Sequence, residues 1–115
     1  MKNALPKKLY HGTSTEELAG FESGVTDDLL YLTSNYGNAD DYAREKANEV
    51  GGDPIILSFD LSVLAANGKL DADHKWLPRE FWFKTVSWKD GLRQTGHVTF
   101  EGTFLPALIE TEYLE

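Results

Sequence analysis

The chain of 115 residues contains no cysteine. Disulfides and zinc sites built from thiolates are therefore excluded, and non-covalent packing has to hold the fold together. A hydrophobic content of 41% is enough for this, because a chain of this length buries roughly two-thirds of its unfolded surface. The absence of cysteine fits a reducing compartment such as the cytosol.

Basic residues are also scarce. Eleven lysines and arginines against nineteen acidic residues leave a net charge of −8, and the isoelectric point is about 4.8. Nucleic-acid binding depends on clustered basic residues that neutralise phosphates. Here only Lys7 and Lys8 are adjacent, so a protein partner is favoured over a nucleic acid, which would need a local basic groove.

Long apolar runs are missing as well. No stretch approaches the ~20 apolar residues that cross a bilayer. The first ten residues carry lysines but no apolar run before Pro6, which is unlike a secretory signal. We therefore expect a cytoplasmic protein, in its own cell or in a target cell, with one domain over residues 1–115 and no membrane partner. Both a monomer and an oligomer are compatible with the sequence.

The hydrophobic pattern predicts an α+β domain. Two short helices are expected, one from Ser14 to about Gly24 with Ser14 and Glu17 as a capping box, and one from Asn35 to about Val50. Residues 62–80 read as irregular, with a turn at 67–68, and a second turn is expected at 89–91. The predicted strands cover residues 9–13, 29–33, 54–61, 81–88, 97–104 and 107–113.

A first group of chemical interest is Tyr10-His11-Gly12-Thr13. It stands where an apolar strand ends before a capped helix, so an imidazole and a glycine backbone lie at the rim of a sheet. Such a rim is a common place for a ligand. The alternative is a histidine satisfied by neighbouring backbone and a glycine needed only for the turn.

A second group is formed by Tyr31, at the end of a strand, and Tyr42, eleven residues later on the inner face of the next helix. Two aromatic rings placed in this way can enclose a flat, electron-poor ring. The alternative is that both tyrosines belong to the core.

Taken together, the two groups resemble the ADP-ribosyltransferase superfamily, in the branch related to diphtheria toxin and the poly-ADP-ribose polymerases. That branch carries Tyr-His-Gly-Thr on its first strand, a strand tyrosine, and a helix tyrosine eleven residues on. The resemblance covers residues 9–60. It implies two small antiparallel sheets that form a split β core with two short helices, and NAD as cofactor and co-substrate.

The resemblance also implies roles for single residues. His11 would bind a ribose hydroxyl, the Gly12 backbone would hold the nicotinamide carboxamide, and Tyr31 and Tyr42 would stack on the nicotinamide ring. Thr13 and Ser34 belong to the same cofactor-binding set. His11 is also counted among the catalytic residues.

The family's catalytic glutamate stands near the beginning of a later strand, which runs on to a Gly-x-Ile-Pro-like ending. If residues 102–106 supply that ending, the catalytic position falls on Gly96 or His97, where there is no acid. Glu101 is the nearest acid, and strand alternation places it on the same side of the strand as His97. The four residues from His97 to Glu101 span about 13 Å, so Glu101 cannot occupy the position of His97 without a shift in register. We predict Glu101 as the catalytic acid, with His97 as its substitute.

The expected function is therefore an NAD-dependent mono-ADP-ribosyltransferase that acts on a macromolecular target. A chain close to a bare catalytic core suggests, by analogy, a bacterial or phage effector, a toxin, or an inhibitor of a host system. The alternatives are an NAD glycohydrolase, an RNA 2′-phosphotransferase-like enzyme, and a non-catalytic binding or inhibitor protein of the same fold. Asp71, Asp73 and His74 fit no established metal-loop spacing, so no metal is expected.

Overall fold

The computed structural model describes residues 5–17, 30–77, 79–81, 86–102 and 110–114. This part of the chain forms six strands, three α-helices and three short 3-10 helices. The strands are β1 (Lys8–Ser14), β2 (Leu30–Thr33), β3 (Pro54–Asp60), β4 (Gly68–Ala72), β5 (His97–Gly102) and β6 (Glu110–Tyr113). The α-helices are α1 (Tyr36–Val50), α2 (Leu61–Asn67) and α3 (Trp88–Thr95), and the 3-10 helices are Thr15–Glu17, His74–Trp76 and Arg79–Phe81.

The six strands form one antiparallel sheet in the order β4-β5-β2-β1-β3-β6. The α+β class is thereby confirmed. The prediction of two separate sheets is wrong. The pairing of β1 with β2 joins the strands β4, β5 and β2 to the strands β1, β3 and β6 in one sheet. Among the described residues β1 and β2 pair only at Tyr10 and Thr33, whereas β1 pairs with β3 along all seven of its residues.

Both faces of the sheet are covered. On one face, leucines of β1, β2 and β3 pack with Phe100 of β5, with Leu64 of α2 and with Leu92 of α3. On the other face, Ala39 and Ala43 of α1 pack on Ile56 of β3. Since alternate residues of a strand face opposite sides, burial on both sides explains why β3 has three consecutive buried apolar residues at positions 55–57.

The first half of the chain follows the sequence prediction. β1, β2, β3 and α1 lie where the pattern placed them. α1 is capped by Asn35, whose Oδ1 accepts a hydrogen bond from the Asn38 N–H at 3.0 Å, and Gly51 ends it with a φ of 88°. Ser14 caps the turn after β1 by accepting from the Glu16 N–H at 3.2 Å. The rest of the first predicted helix, residues 18–24, lies outside the described residues.

The second half departs from the prediction in two places. Residues 62–80 are not irregular, because α2 buries Leu61 and Leu64 and is followed directly by β4. The predicted turn at 67–68 is the boundary between these two elements. The predicted strand 81–88 is wrong at its two ends, where a 3-10 helix ends at Phe81 and α3 starts at Trp88. The predicted turn at 89–91 is also wrong, because these residues lie within α3.

The cause of the second error is a helix cap. The Ser87 hydroxyl accepts a hydrogen bond from the Asp90 N–H at 3.2 Å, which starts α3 where alternation of apolar residues favoured a strand. Residues 82–85 lie outside the described residues. The last two strands are confirmed where they are described, as β5 and β6. None of the described helices is both long and apolar enough to span a bilayer.

Candidate functional site

A cleft of about 370 Å³ opens where β1 and β2 separate. Its size lies within the range of small-molecule sites. One wall is formed by the two strands, another by α1, and a third by the segment 73–76 with the start of β5. The lining residues are Tyr10, His11, Gly12, Thr13, Glu17, Tyr31, Leu32, Thr33, Tyr42, Glu45, Lys46, Glu49, Asp73, Lys75, Trp76 and His97.

His11 is fixed by the separation of the strands. Its Nδ1 donates a hydrogen bond to the backbone oxygen of Tyr31, at 2.8 Å. The side chain thus supplies a hydrogen-bond donor to β2 beside Tyr10–Thr33, which is the one pair between the two strands in the described part of the chain. Because a carbonyl oxygen only accepts, the proton of the neutral ring resides on Nδ1, and Nε2 carries the lone pair.

The pKa of His11 is lowered by burial, which disfavours the imidazolium ion. The bond to the Tyr31 carbonyl and the negative charge of Glu17 oppose this shift but do not cancel it. At neutral pH His11 is therefore a neutral ring with a fixed orientation, suited to accept a proton or a hydrogen bond.

Gly12 lies where α1 crosses the sheet. A Cβ atom at this position would lie 2.0 Å from the Ala39 carbonyl oxygen and 2.7 Å from the Ala43 nitrogen. Only a residue without a side chain allows the helix backbone to come this close. The glycine thus has a packing role that is independent of any ligand, and it brings α1 to the cleft.

The two tyrosines are not core residues. Tyr31 is 57% exposed and Tyr42 is 43% exposed, and both line the cleft. Tyr42 belongs to α1, whose buried residues are Ala39 and Ala43. Large aromatic side chains exposed in a concave site are available to stack on a ligand.

Glu17, Thr13 and Lys46 form a polar cluster on the cleft wall that the sequence did not reveal. The Thr13 hydroxyl donates to Oε2 of Glu17 at 2.9 Å, and the Lys46 ammonium pairs with Oε1 at 3.2 Å. We expected Glu17 to complete a capping box. Its carboxylate instead binds the Thr13 side chain, and the four-residue spacing of Thr13 and Glu17 was the available signal.

Burial alone would raise the pKa of Glu17. The hydrogen bonds from Thr13 and Lys46, with the positive charge of Lys46, outweigh burial and hold this pKa below its usual value. Glu17 is therefore an ionised carboxylate at neutral pH. It also interacts electrostatically with His11, which lies on the same side of the cleft.

His97 lines the opposite side of the cleft, at the start of β5 and paired in register with Thr33. The residue is only 5% exposed, and its ring stacks on Trp76, with ring centroids 3.9 Å apart and planes 7° from parallel. Burial lowers the pKa of His97, although the charge of Asp73 raises it in part. Asp73 and Trp76 are not among the predicted site residues, and the sequence places both in the segment 62–80 that it predicts to be irregular.

Two predicted site residues do not line the cleft. Glu101 is exposed near the far end of β5, opposite Lys69 of β4. Ser34 follows β2, where its N–H donates to the Gly96 carbonyl at 2.8 Å and its hydroxyl lies 3.4 Å from the same oxygen. The other predicted site residues, His11, Gly12, Thr13, Tyr31, Tyr42 and His97, are brought together in the cleft.

No group of three His, Asp or Glu side chains that could hold a metal ion occurs within the described residues. Asp71 points instead to Lys69, with 3.8 Å between the charged atoms. The Asp73 carboxylate accepts a hydrogen bond from the Lys75 N–H at 3.2 Å, which shapes the turn beside the cleft.

No protein-family model matches the chain, and no curated protein sequence is significantly similar to it.

Proposed function

We propose that the cleft binds NAD and that the protein is an NAD-dependent mono-ADP-ribosyltransferase with an ADP-ribosyltransferase-like fold. One observation carries this proposal. Residues that carry the resemblance come from three separate segments of the chain, His11 and Gly12 from the first, Tyr31 from the second and Tyr42 from the third, yet they line the same cleft. Chance placement of core residues would leave the tyrosines buried, whereas both rings are exposed to the cleft.

In this proposal the two tyrosine rings hold the nicotinamide ring, and the bond from His11 to the Tyr31 carbonyl fixes the imidazole toward the ribose. A ribose hydroxyl donates to the neutral ring at Nε2. The bond between ribose and nicotinamide then breaks through an oxocarbenium-like transition state, as in glycoside cleavage. The cleft stabilises that state with groups whose orientation is already set.

ADP-ribose passes to an acceptor, and the net charge of −8 favours a protein over a nucleic acid as the target. Water as acceptor would make the same site an NAD glycohydrolase. A bacterial or phage effector, a toxin or an inhibitor of a host system remains the biological setting that the small size suggests by analogy.

A second candidate is a non-catalytic nucleotide-binding or inhibitor protein of the same fold. The position of Glu101 favours it, because this carboxylate is exposed outside the cleft. His97 faces the cleft instead, and a neutral imidazole carries no negative charge to stabilise an oxocarbenium ion.

The test is nicotinamide release from NAD by the purified protein, alone and with cell lysate, together with NAD affinity by calorimetry. We expect release by the wild type, a loss of roughly 100-fold in His11→Ala, and weaker NAD binding in Tyr31→Ala. Tyr113→Ala is the matched control, since Tyr113 is an exposed tyrosine on β6 away from the cleft. NAD binding without release would support the non-catalytic candidate, and the absence of both would refute the proposal.

A further inference from the structure

The cleft contains a carboxylate that the sequence comparison with the family does not assign. We propose that Glu17, in the turn after β1, stabilises the reacting ribose in the role expected of Glu101 on β5. This inference rests on the proposed function, and it assigns to a residue of the cleft the role for which the sequence predicts Glu101.

The geometry of Glu17 suits this role. Its two oxygens are held from two different elements, by the Thr13 hydroxyl of β1 at 2.9 Å and by the Lys46 ammonium of α1 at 3.2 Å. Thr13 is fully buried, so one of the two anchors is fixed by the core. The Glu17 side chain itself is 38% exposed and lines the cleft, so a ligand can reach it.

The electrostatic environment points in the same direction. Glu17 is ionised at neutral pH and lies close enough to His11 for each to influence the other's charge. A neutral base and an anion thus stand on the same wall of the cleft. An anion held in place before the reaction stabilises positive charge that develops beside it.

The other carboxylates of the cleft fit less well. Glu45 and Glu49 are exposed on α1, where solvent screens their charge. Asp73 is only 6% exposed, so a ligand in the cleft has less access to its carboxylate than to that of Glu17, whose side chain is 38% exposed. Of these carboxylates, Glu17 combines a defined orientation with access from the cleft.

The chemical step balances with Glu17 in this role. The bond from ribose C1 to the nicotinamide nitrogen breaks, and its electron pair goes to that nitrogen, which loses its positive charge. Positive charge develops on the ribose beside the Glu17 carboxylate. An acceptor hydroxyl or a water then attacks C1, and the carboxylate takes up the proton that the acceptor loses and returns it to solvent.

The test compares Glu17→Gln with two controls of the same chemistry. Glu16→Gln changes an exposed neighbour in the same turn that does not line the cleft, and Glu101→Gln changes the acid that the sequence predicted. Single-turnover nicotinamide release gives the rate, calorimetry gives NAD affinity, and thermal unfolding reports whether each variant folds. We expect Glu17→Gln to fold and bind NAD but to lose roughly 100-fold in rate, while Glu16→Gln and Glu101→Gln keep the wild-type rate.

A pH profile adds a readout that a structural role would not change. The groups facing Glu17 are Thr13 and His11 from β1 and Lys46 from α1, with Glu49 near Lys46. Removing the cation in Lys46→Met should raise the pKa of Glu17 and move the acid limb of the rate profile to higher pH.

The experiment distinguishes a failure of the proposed enzyme function from a failure of the role proposed for Glu17. If the wild type binds NAD but releases no nicotinamide, the proposed enzyme function fails and this inference with it. If the wild type is active and Glu17→Gln retains its rate, the inference alone is overturned. Loss of rate in Glu101→Gln or Asp73→Asn, but not in Glu17→Gln, would overturn it equally and name the true acid.

Discussion

The substitution Gly12→Ala tests the close packing of α1 against β1 of the sheet. The new Cβ atom would lie 2.0 Å from the Ala39 carbonyl oxygen, whereas ordinary contacts begin at 3.4 Å. The helix backbone would have to withdraw by the difference, 3.4 − 2.0 = 1.4 Å. The clashing atoms belong to the helix backbone, so no rotation of a side chain can relieve the overlap.

Overpacking of a well-packed interior costs about 1–3 kcal/mol. Withdrawal of α1 would also separate Ala39 and Ala43 from Ile56, all of which are fully buried. We therefore expect a loss near the upper end, about 3 kcal/mol, which corresponds to a fall in Tm of roughly 12 °C for a domain of this size.

The assay is thermal and urea unfolding of Gly12→Ala beside Gly37→Ala. Gly37 lies in the same helix, and a Cβ there would meet only the Asn35 side-chain oxygen, at 3.2 Å. This control should change stability by no more than about 1 kcal/mol. If Gly12→Ala is as stable as the control, the close approach of α1 to β1 is wrong. If it is destabilised as expected, loss of activity in this variant is no evidence for a ligand contact.

Two further predictions concern the cap of α1 and the buried histidines. Asn35→Ala removes the acceptor for the Asn38 N–H and should cost about 1 kcal/mol in urea unfolding, whereas equal stability of Asn35→Ala and Asn35→Asp would contradict the cap. The pKa values of His11 and His97 lie below the ordinary 6.5 in the folded protein, so the unfolded chain takes up protons first as pH falls. Stability should therefore decrease below about pH 6.5, and NMR midpoints of either ring above that value would contradict this reasoning.

Much of the first half of the fold follows from local sequence signals. The capping residues Ser14 and Asn35, the glycine at 51 and the apolar run of β3 each fix an element through interactions within a few residues. The cleft residues on β1, β2 and α1 could be recognised because they lie on these well-marked elements.

The joined sheet could not be predicted in the same way. Within the described residues, β1 and β2 are joined by one pair, Tyr10 with Thr33, and these two residues lie far apart in sequence. α2 and α3 were missed for a related reason. They are short, and packing against β4 stabilises both of them; in α3 it adds to the cap at Ser87.

Glu17 could not be recognised as a cleft residue from the sequence alone. Glu17 has the spacing of a capping residue, and its partner Lys46 is brought to it only when α1 packs across Gly12. Glu101 was favoured because it lies on the expected strand. The start of β5, at His97, lines the cleft, whereas Glu101 lies four residues farther along the strand and does not.

We propose that NAD binds in the cleft where β1 and β2 separate. An NMR titration of the isotopically labelled protein with NAD is the most direct test of this binding. We expect amide shifts that saturate with NAD and cluster on residues 10–13, 31–33 and 42–49, with β6 unaffected. An absence of shifts at millimolar NAD, or shifts centred on β6 and the far end of β3, would contradict the claim.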